Sequence, residues 1–249
     1  MITKTCPVTE ISDIKGFINT SFLDWRGKIS SIIFLANCNF RCPYCHNKDL
    51  VLCPQKIANI PLNKLEDKLR ENADWIDGVV ISGGEPTLHP QLKSLIKKIR
   101  NLGYKIKLDT NGSKPAVLHE LIEEKLIDYI AMDFKAPLAA DLYARCSGIN
   151  MMDMMDMISA IRCSILLLMK EKIEYEFRVT IYPGVLKKEH ILAMAKEIKG
   201  ARKFILQNFR PGLTLDPKLE KLEPCKKDDL NDMKNLIAPF VRECMVISS

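Results

Sequence analysis

Gly78-Val-Val-Ile-Ser-Gly-Gly-Glu-Pro-Thr87 sets the reading of the whole chain. A short β-branched run breaks on two glycines and a proline, and an amphipathic stretch, Gln91–Leu102, begins just past Pro90. That is strand, polar turn, helix, with Pro suited to a first helical turn. The same unit recurs along the chain. Strands are expected at Ser31–Leu35, Gly78–Ile81, Lys105–Leu108, Tyr129–Met132, Glu176–Ile181 and Lys203–Leu206. Helices are expected at Leu62–Asn72, Gln91–Leu102, Ala116–Lys125, Met154–Lys170 and Glu189–Lys199. The long one carries its apolar stripe at Met154, Ile158, Ile161, Ile165 and Leu168, steps of four and three that keep one face on a core, so its methionines read as packing. Six alternations imply parallel strands joined by right-handed crossovers, because a tight hairpin cannot reach a parallel neighbour. The expected fold is α/β, an open (β/α)6 partial TIM-type barrel with parallel strands.

No repeat, low-complexity linker or sharp composition change precedes residue 210, so residues 1–249 read as one domain, with a core over about 15–210 and a tail segment over about 211–249. The 249 residues are 47% hydrophobic and 27% charged with 11 Gly and 13 Pro, a globular composition that excludes disorder and collagen-like structure. The formal charge of +6 suits a solvated surface or an acidic partner, and no aromatic-basic groove pattern points to nucleic acid. Nine cysteines, at 6, 38, 42, 45, 53, 146, 163, 225 and 244, accompany a polar Met1–Asp13 without a signal-like apolar run. The longest apolar stretch, Ile165–Met169, is too short for a bilayer. The expectation is a reducing cytoplasm, with no membrane and no disulfide scaffold.

Three thiols fall in Cys38-Asn-Phe-Arg-Cys42-Pro-Tyr-Cys45-His46, just after the first expected strand. Cys42-Pro-Tyr-Cys45 has the form of a dithiol redox motif, and with His46 that of a haem-attachment string; neither accounts for Cys38. A zinc site from Cys38, Cys42, Cys45 and His46 stays open on the cysteines alone. An iron–sulfur cube normally takes four cysteines, so three leave one iron open to a substrate or cofactor. Position adds to this. Ser82-Gly83-Gly84-Glu85-Pro86, Asp109-Thr110-Asn111-Gly112 and Asp133-Phe134-Lys135 all follow or end strands, and in parallel barrels the carboxyl ends of strands form the working face. Gly83 and Gly84 would expose main-chain groups, Glu85 offers an acceptor for an ammonium, and Asp109 offers acceptors for ribose hydroxyls or a cation. Together they suit an amino acid joined to a nucleoside.

The CxxxCxΦC pattern with Tyr44 as the aromatic, followed by Gly83-Gly-Glu-Pro86, resembles the radical S-adenosylmethionine superfamily. Lys15 to Leu52, Gly78 to Thr87, Lys107-Leu-Asp-Thr-Asn-Gly112, Tyr129 to Pro137 and Gln207-Asn-Phe-Arg-Pro-Gly212 are similar to the glycyl-radical-enzyme activases, most closely those of anaerobic ribonucleoside-triphosphate reductase. The resemblance implies that Cys38, Cys42 and Cys45 bind a [4Fe-4S] cluster whose fourth iron is chelated by S-adenosylmethionine. It implies Gly83, Gly84 and Glu85 at the methionyl amino end, Tyr44 by the adenine through its backbone, and Asp109, Thr110 and Asp133 lining the cofactor and able to hold a monovalent cation. Lys135 would lie near the carboxylate, and Arg178, if its register points inward, would touch the cofactor. The implied partners are a glycyl-radical enzyme and a flavodoxin or ferredoxin as electron donor. Two departures stand out: Asn37 precedes Cys38 where relatives commonly carry Gly, a position Asn can fill with left-handed angles, and Trp25-Arg-Gly27 stands where relatives often show an aromatic-Pro-Gly run, a departure that touches the partner-facing detail more than the cluster. Other readings are a small-molecule enzyme of the 7-carboxy-7-deazaguanine synthase type and a zinc-stabilised binding module. Cys53 is a candidate spare ligand, and the remaining cysteines and His89, His119 and His190 are expected to be packing or surface residues.

Overall fold

The structure, a computed structural model, describes residues 13–248. The polar N-terminal stretch up to residue 12, with Cys6, lies outside the described residues. Eight strands form one sheet in chain order: β1 (Ile14–Ser21), β2 (Ser30–Leu35), β3 (Gly78–Gly83), β4 (Lys105–Thr110), β5 (Tyr129–Asp133), β6 (Glu174–Ile181), β7 (Lys203–Asn208) and β8 (Glu243–Ile247). The six strands expected from sequence are β2 to β7, and every pair from β2 to β8 is parallel. β1 pairs antiparallel with β2, and β1 and β8 do not pair with each other, so the barrel is open. Eight helices accompany the strands: α1 (Lys48–Leu52), α2 (Leu62–Glu71), α3 (Leu92–Asn101), α4 (Pro115–Glu123), α5 (Ala140–Ser147), α6 (Met154–Leu168), α7 (Lys188–Glu197) and α8 (Lys227–Ile237). None is long and apolar enough to cross a membrane.

The strand alternation sorts chemistry between two faces. On β6, Tyr175, Phe177, Val179 and Ile181 are buried, while Glu176, Arg178 and Thr180 take the other face. On β4, Ile106 and Leu108 join the core while Lys107 and Asp109 line the inside of the curved sheet. The inner face is therefore charged, and its two ends differ. At the amino ends of the strands the loop 22–29 between β1 and β2 folds across the opening. Trp25, 5% exposed, packs on Tyr129 with ring centroids 6.0 Å apart. Gly78 makes room for that indole: a Cβ there would lie 2.6 Å from its ring. Arg26 reaches Met245 on β8, and the buried Lys107 ammonium donates to the Asp24 carbonyl. The Trp25–Gly27 run is thus part of a plug at the end opposite the cysteines.

Candidate functional site

The carboxyl ends of the strands surround a cavity of about 230 Å³ lined by Cys38, Cys42, Cys45, Tyr44, Gly83, Gly84, Glu85, Asp109, Thr110, Asp133, Lys135 and Arg178. All twelve residues singled out from sequence thus meet in one place. Arg178 faces inward, as its register required.

Backbone geometry aims the cysteine loop. Asn37 has φ 64°, the left-handed turn that Gly would otherwise supply. The Gly83–Gly84 turn is pressed against the chain leading to Cys38: Gly84 N donates to Leu35 O at 2.9 Å and Glu85 N to Asn37 O at 2.7 Å. A Cβ on Gly84 would lie 1.8 Å from Asn37 O, and one on Gly83 2.4 Å from Leu35 O. These glycines serve close approach between two loops more than exposure of main chain to a ligand, since Gly83 O also accepts from Asn47 Nδ2 at 2.8 Å.

Glu85 is 1% exposed. Its Oε1 accepts from Thr87 N, Thr87 Oγ1 and Thr110 Oγ1 at 3.0, 2.5 and 2.8 Å, and its Oε2 from Asn111 N at 2.6 Å. Burial raises its carboxyl pKa, while those four bonds favour the carboxylate. Three of its acceptances are spent on one oxygen, so any ammonium it meets must come to Oε2. Thr110 likewise turns its hydroxyl to Glu85 rather than to the cavity.

Asn111 continues this network, and the sequence offered no sign of it beyond a turn. Its Nδ2 donates to Asn39 Oδ1 at 2.9 Å and lies 3.9 Å from Cys38 Sγ, and its Oδ1 accepts from Ser113 N at 2.9 Å. Asn39 Nδ2 donates to Ser113 Oγ at 2.9 Å, closing a clamp between the cysteine loop and the turn after β4.

Burial pushes the Cys38 thiol up to about 11 and the Cys42 thiol to about 12, and raises Cys45. Lys135 opposes this at all three, and Phe40 N at 3.3 Å from Cys38 Sγ adds to it. Two carboxylates and three cations interleave along the inner wall. Lys107 Nζ is 3.3 Å from Asp109 Oδ1, Arg178 Nη2 3.5 Å from Asp109 Oδ2, Arg178 Nε 3.0 Å from Asp133 Oδ1, and Lys135 Nζ 2.8 Å from Asp133 Oδ2. Burial alone would raise the Asp133 pKa, but Lys135 and Arg178 outweigh it and hold the carboxyl at about 2. Asp109 Oδ1 makes no hydrogen bond beyond its ion pair with Lys107, and the Tyr44 hydroxyl is buried without a partner.

The chain after β7 crosses the cysteine loop. Arg210 O is 3.0 Å from His46 Nε2, and Asp216 N donates to Pro43 O at 2.9 Å. His46 therefore faces that strap. Cys53, Cys146, Cys163, Cys225 and Cys244 do not line the cavity. His119 is exposed, but the His89 side chain is 5% exposed and lies 4.0 Å from Asp13, so it is not the surface residue expected.

Residues 32–163 match the family model of the radical SAM superfamily. A protein of Methanocaldococcus jannaschii that carries the provisional name glycyl-radical enzyme activating enzyme is 30% identical over 239 residues, covering 94% of this chain and 95% of that one. The 7-carboxy-7-deazaguanine synthase of Hyperthermus butylicus is 41% identical over 95 residues, 37% of this chain and 38% of that protein. Among solved structures, Streptococcus suis SuiB bound to its precursor peptide SuiA superposes with a TM-score of 0.65 at 16% identity, over 86% of this chain and about half (48%) of that chain; this likeness concerns the fold alone.

Proposed function

The chain belongs to the radical SAM superfamily, as a relative of glycyl-radical enzyme activating enzymes, and from that premise we propose that it installs a glycyl radical on a partner enzyme, an anaerobic ribonucleoside-triphosphate reductase. The family implies a [4Fe-4S] cluster and S-adenosylmethionine. Three thiols on one cavity wall fit the first, and Glu85, Asp109 and Lys135 on the same cavity, acceptors and a cation for an amino acid joined to a nucleoside, fit the second. Among the described residues no three His, Cys, Asp or Glu side chains are grouped to hold a single metal ion. His46 Nε2 meets Arg210 O, and the other groups ringing the three thiols, Glu85, Asp109 and Lys135, are those a nucleoside-linked amino acid needs, which favours the cluster reading over the zinc module.

When bound, the cluster would supply the electron for reductive cleavage of S-adenosylmethionine, the chemistry by which a glycine Cα of the partner would lose its hydrogen. The chain's own residues bind and orient. Cys38, Cys42 and Cys45 hold the cluster, and Gly84 with Glu85 Oε2 receives the amino end. Lys135 neutralises a carboxylate, Tyr44 backs the adenine, and Asp109 accepts from the ribose. Arg178 already lies between Asp109 and Asp133, so a monovalent cation would have to displace its guanidinium. An acidic flavodoxin or ferredoxin suits the +6 chain as donor, and the free thiols suit a reducing cytoplasm.

The observation that carries this reading is the meeting of the three cysteines with Gly84, Asp109 and Lys135 in one cavity. Likeness over 94% of the chain to the activating enzyme, against 37% for the deazaguanine synthase, supports a protein substrate. Anaerobic reconstitution should give iron and sulfide near four each per chain, reductive release of 5′-deoxyadenosine, and a glycine-centred EPR signal on the reductase. Cleavage without any signal on the reductase, together with turnover of a pterin, would overturn it.

A further inference from the structure

Among side chains that reach the cysteine wall from another loop, Asn111 stands out. It is 5% exposed, and three of its polar groups are fixed: the main-chain N by Glu85 Oε2, Oδ1 by Ser113 N, and one amide hydrogen by Asn39 Oδ1. The amide nitrogen has a second hydrogen. Cys38 Sγ, 3.9 Å away, is the partner available to it. Asn39 Oδ1 on the nitrogen and Ser113 N on the oxygen set the plane of the amide, so this contact is built in from both sides. Cys38 already takes one main-chain donor, Phe40 N at 3.3 Å.

We propose that Asn111 is a positioning residue for the cluster reading above: its side-chain amide donates to the Cys38 sulfur and so raises the reduction potential of the iron that Cys38 ligates. A donor to a ligand sulfur withdraws negative charge from it and favours the reduced, more negative cluster. The proposal rests on Cys38 being a cluster ligand. It assigns the turn after β4 a task beyond shaping the cavity, since Asn111 reports to the cluster and, through Glu85, to the loop beside it.

The test is an EPR-monitored redox titration of the reconstituted protein, with iron and sulfide measured in each sample. Asn111→Asp keeps an acceptor for Ser113 N but removes the donor, and Asn111→Leu removes it without adding charge. Both should titrate at more negative potential, with a severalfold fall in the reduced-to-oxidised ratio at a fixed poise, up to the tenfold that about 59 mV represents for one electron. Asn39→Ala removes one of the two bonds that hold the amide while Ser113 N still holds its Oδ1, and should shift the potential by less than either Asn111 variant. Unchanged potentials in both Asn111 variants, or an equal shift in Asn39→Ala, overturn the proposal. Should neither Asn111 variant assemble a cluster, pulsed EPR of the reduced parent with side-chain ¹⁵N-asparagine decides: a nitrogen coupling supports the contact, and its absence sinks it. If the parent itself binds no iron and sulfide, the cluster reading fails instead.

Discussion

The two ends of the sheet's interior are built from the same strands and reach opposite outcomes. Below, Lys107 is buried against the Asp24 carbonyl and Asp109, and Trp25 closes the opening on Tyr129 and Gly78. Above, thiols are held neutral by burial, and the Tyr44 hydroxyl lacks a hydrogen-bond partner. A buried polar group without a partner costs about 1–3 kcal/mol, and each end carries one, the Tyr44 hydroxyl above and Ser30 Oγ at the start of β2 below; the ends differ in that the chain closes the lower opening with Trp25 and leaves a cavity at the upper one. The contrast separates what the fold needs from what the chemistry needs.

Four substitutions can break or sharpen that contrast. Cys42→Ala should abolish cluster assembly and S-adenosylmethionine cleavage together; iron analysis that finds a full cluster in this variant would refute the assignment. Trp25→Ala, at the plug, should cost about 3–5 kcal/mol of stability in a denaturant titration while iron content stays at the parent level. Loss of iron in the folded variant would erase the distinction between the ends. Gly84→Ala should act the other way, costing about 1–3 kcal/mol but lowering cluster occupancy, because its methyl group drives Asn37 and with it Cys38 out of place. Asp133→Asn should be the mildest, about 1–2 kcal/mol at neutral pH given its partial exposure. The sign with pH follows from the depressed pKa. The carboxylate's contribution is complete above its ordinary 3.8 and is lost as pH falls through about 2, so the gap between parent and variant should close over that window. A gap that persists at pH 2 would mean that Asp133 matters by shape and not by charge.

Much of this was legible before any coordinates. The six central strands announce themselves because they are buried on the helix side and bounded by turn residues, and the cysteines and Gly83–Glu85 sit directly after them. The edge strands did not. β1, Ile14–Ser21, mixes apolar and polar residues, carries two register shifts and is largely half-exposed. β8 is five residues long and half-buried, and it looked like part of a tail. α5, only eight residues long, begins at an uncapped Ala139 and gave no start signal. The inward aim of Arg178 depended on register, which the sequence left open and the pairing with Asp133 fixes. The role of Glu85 was half seen: its type was right for the site, but its hydrogen bonds go to Thr87, Thr110 and Asn111. The Asn39–Asn111 clamp joins residues 72 apart through side-chain amides, and nothing in local pattern records such a contact.

Sheet order that repeats chain order also shapes how the protein is made. Each new strand docks beside the one synthesised just before it, so no early segment must wait for a distant late one to find its neighbour. Cys38, Gly84 and Asn111 all belong to the first four strands and their turns, so the clamp can close on a growing polypeptide while the Arg210–Asp216 crossing is still inside the ribosome. A metallocluster delivered at that stage would find its three thiols still uncovered.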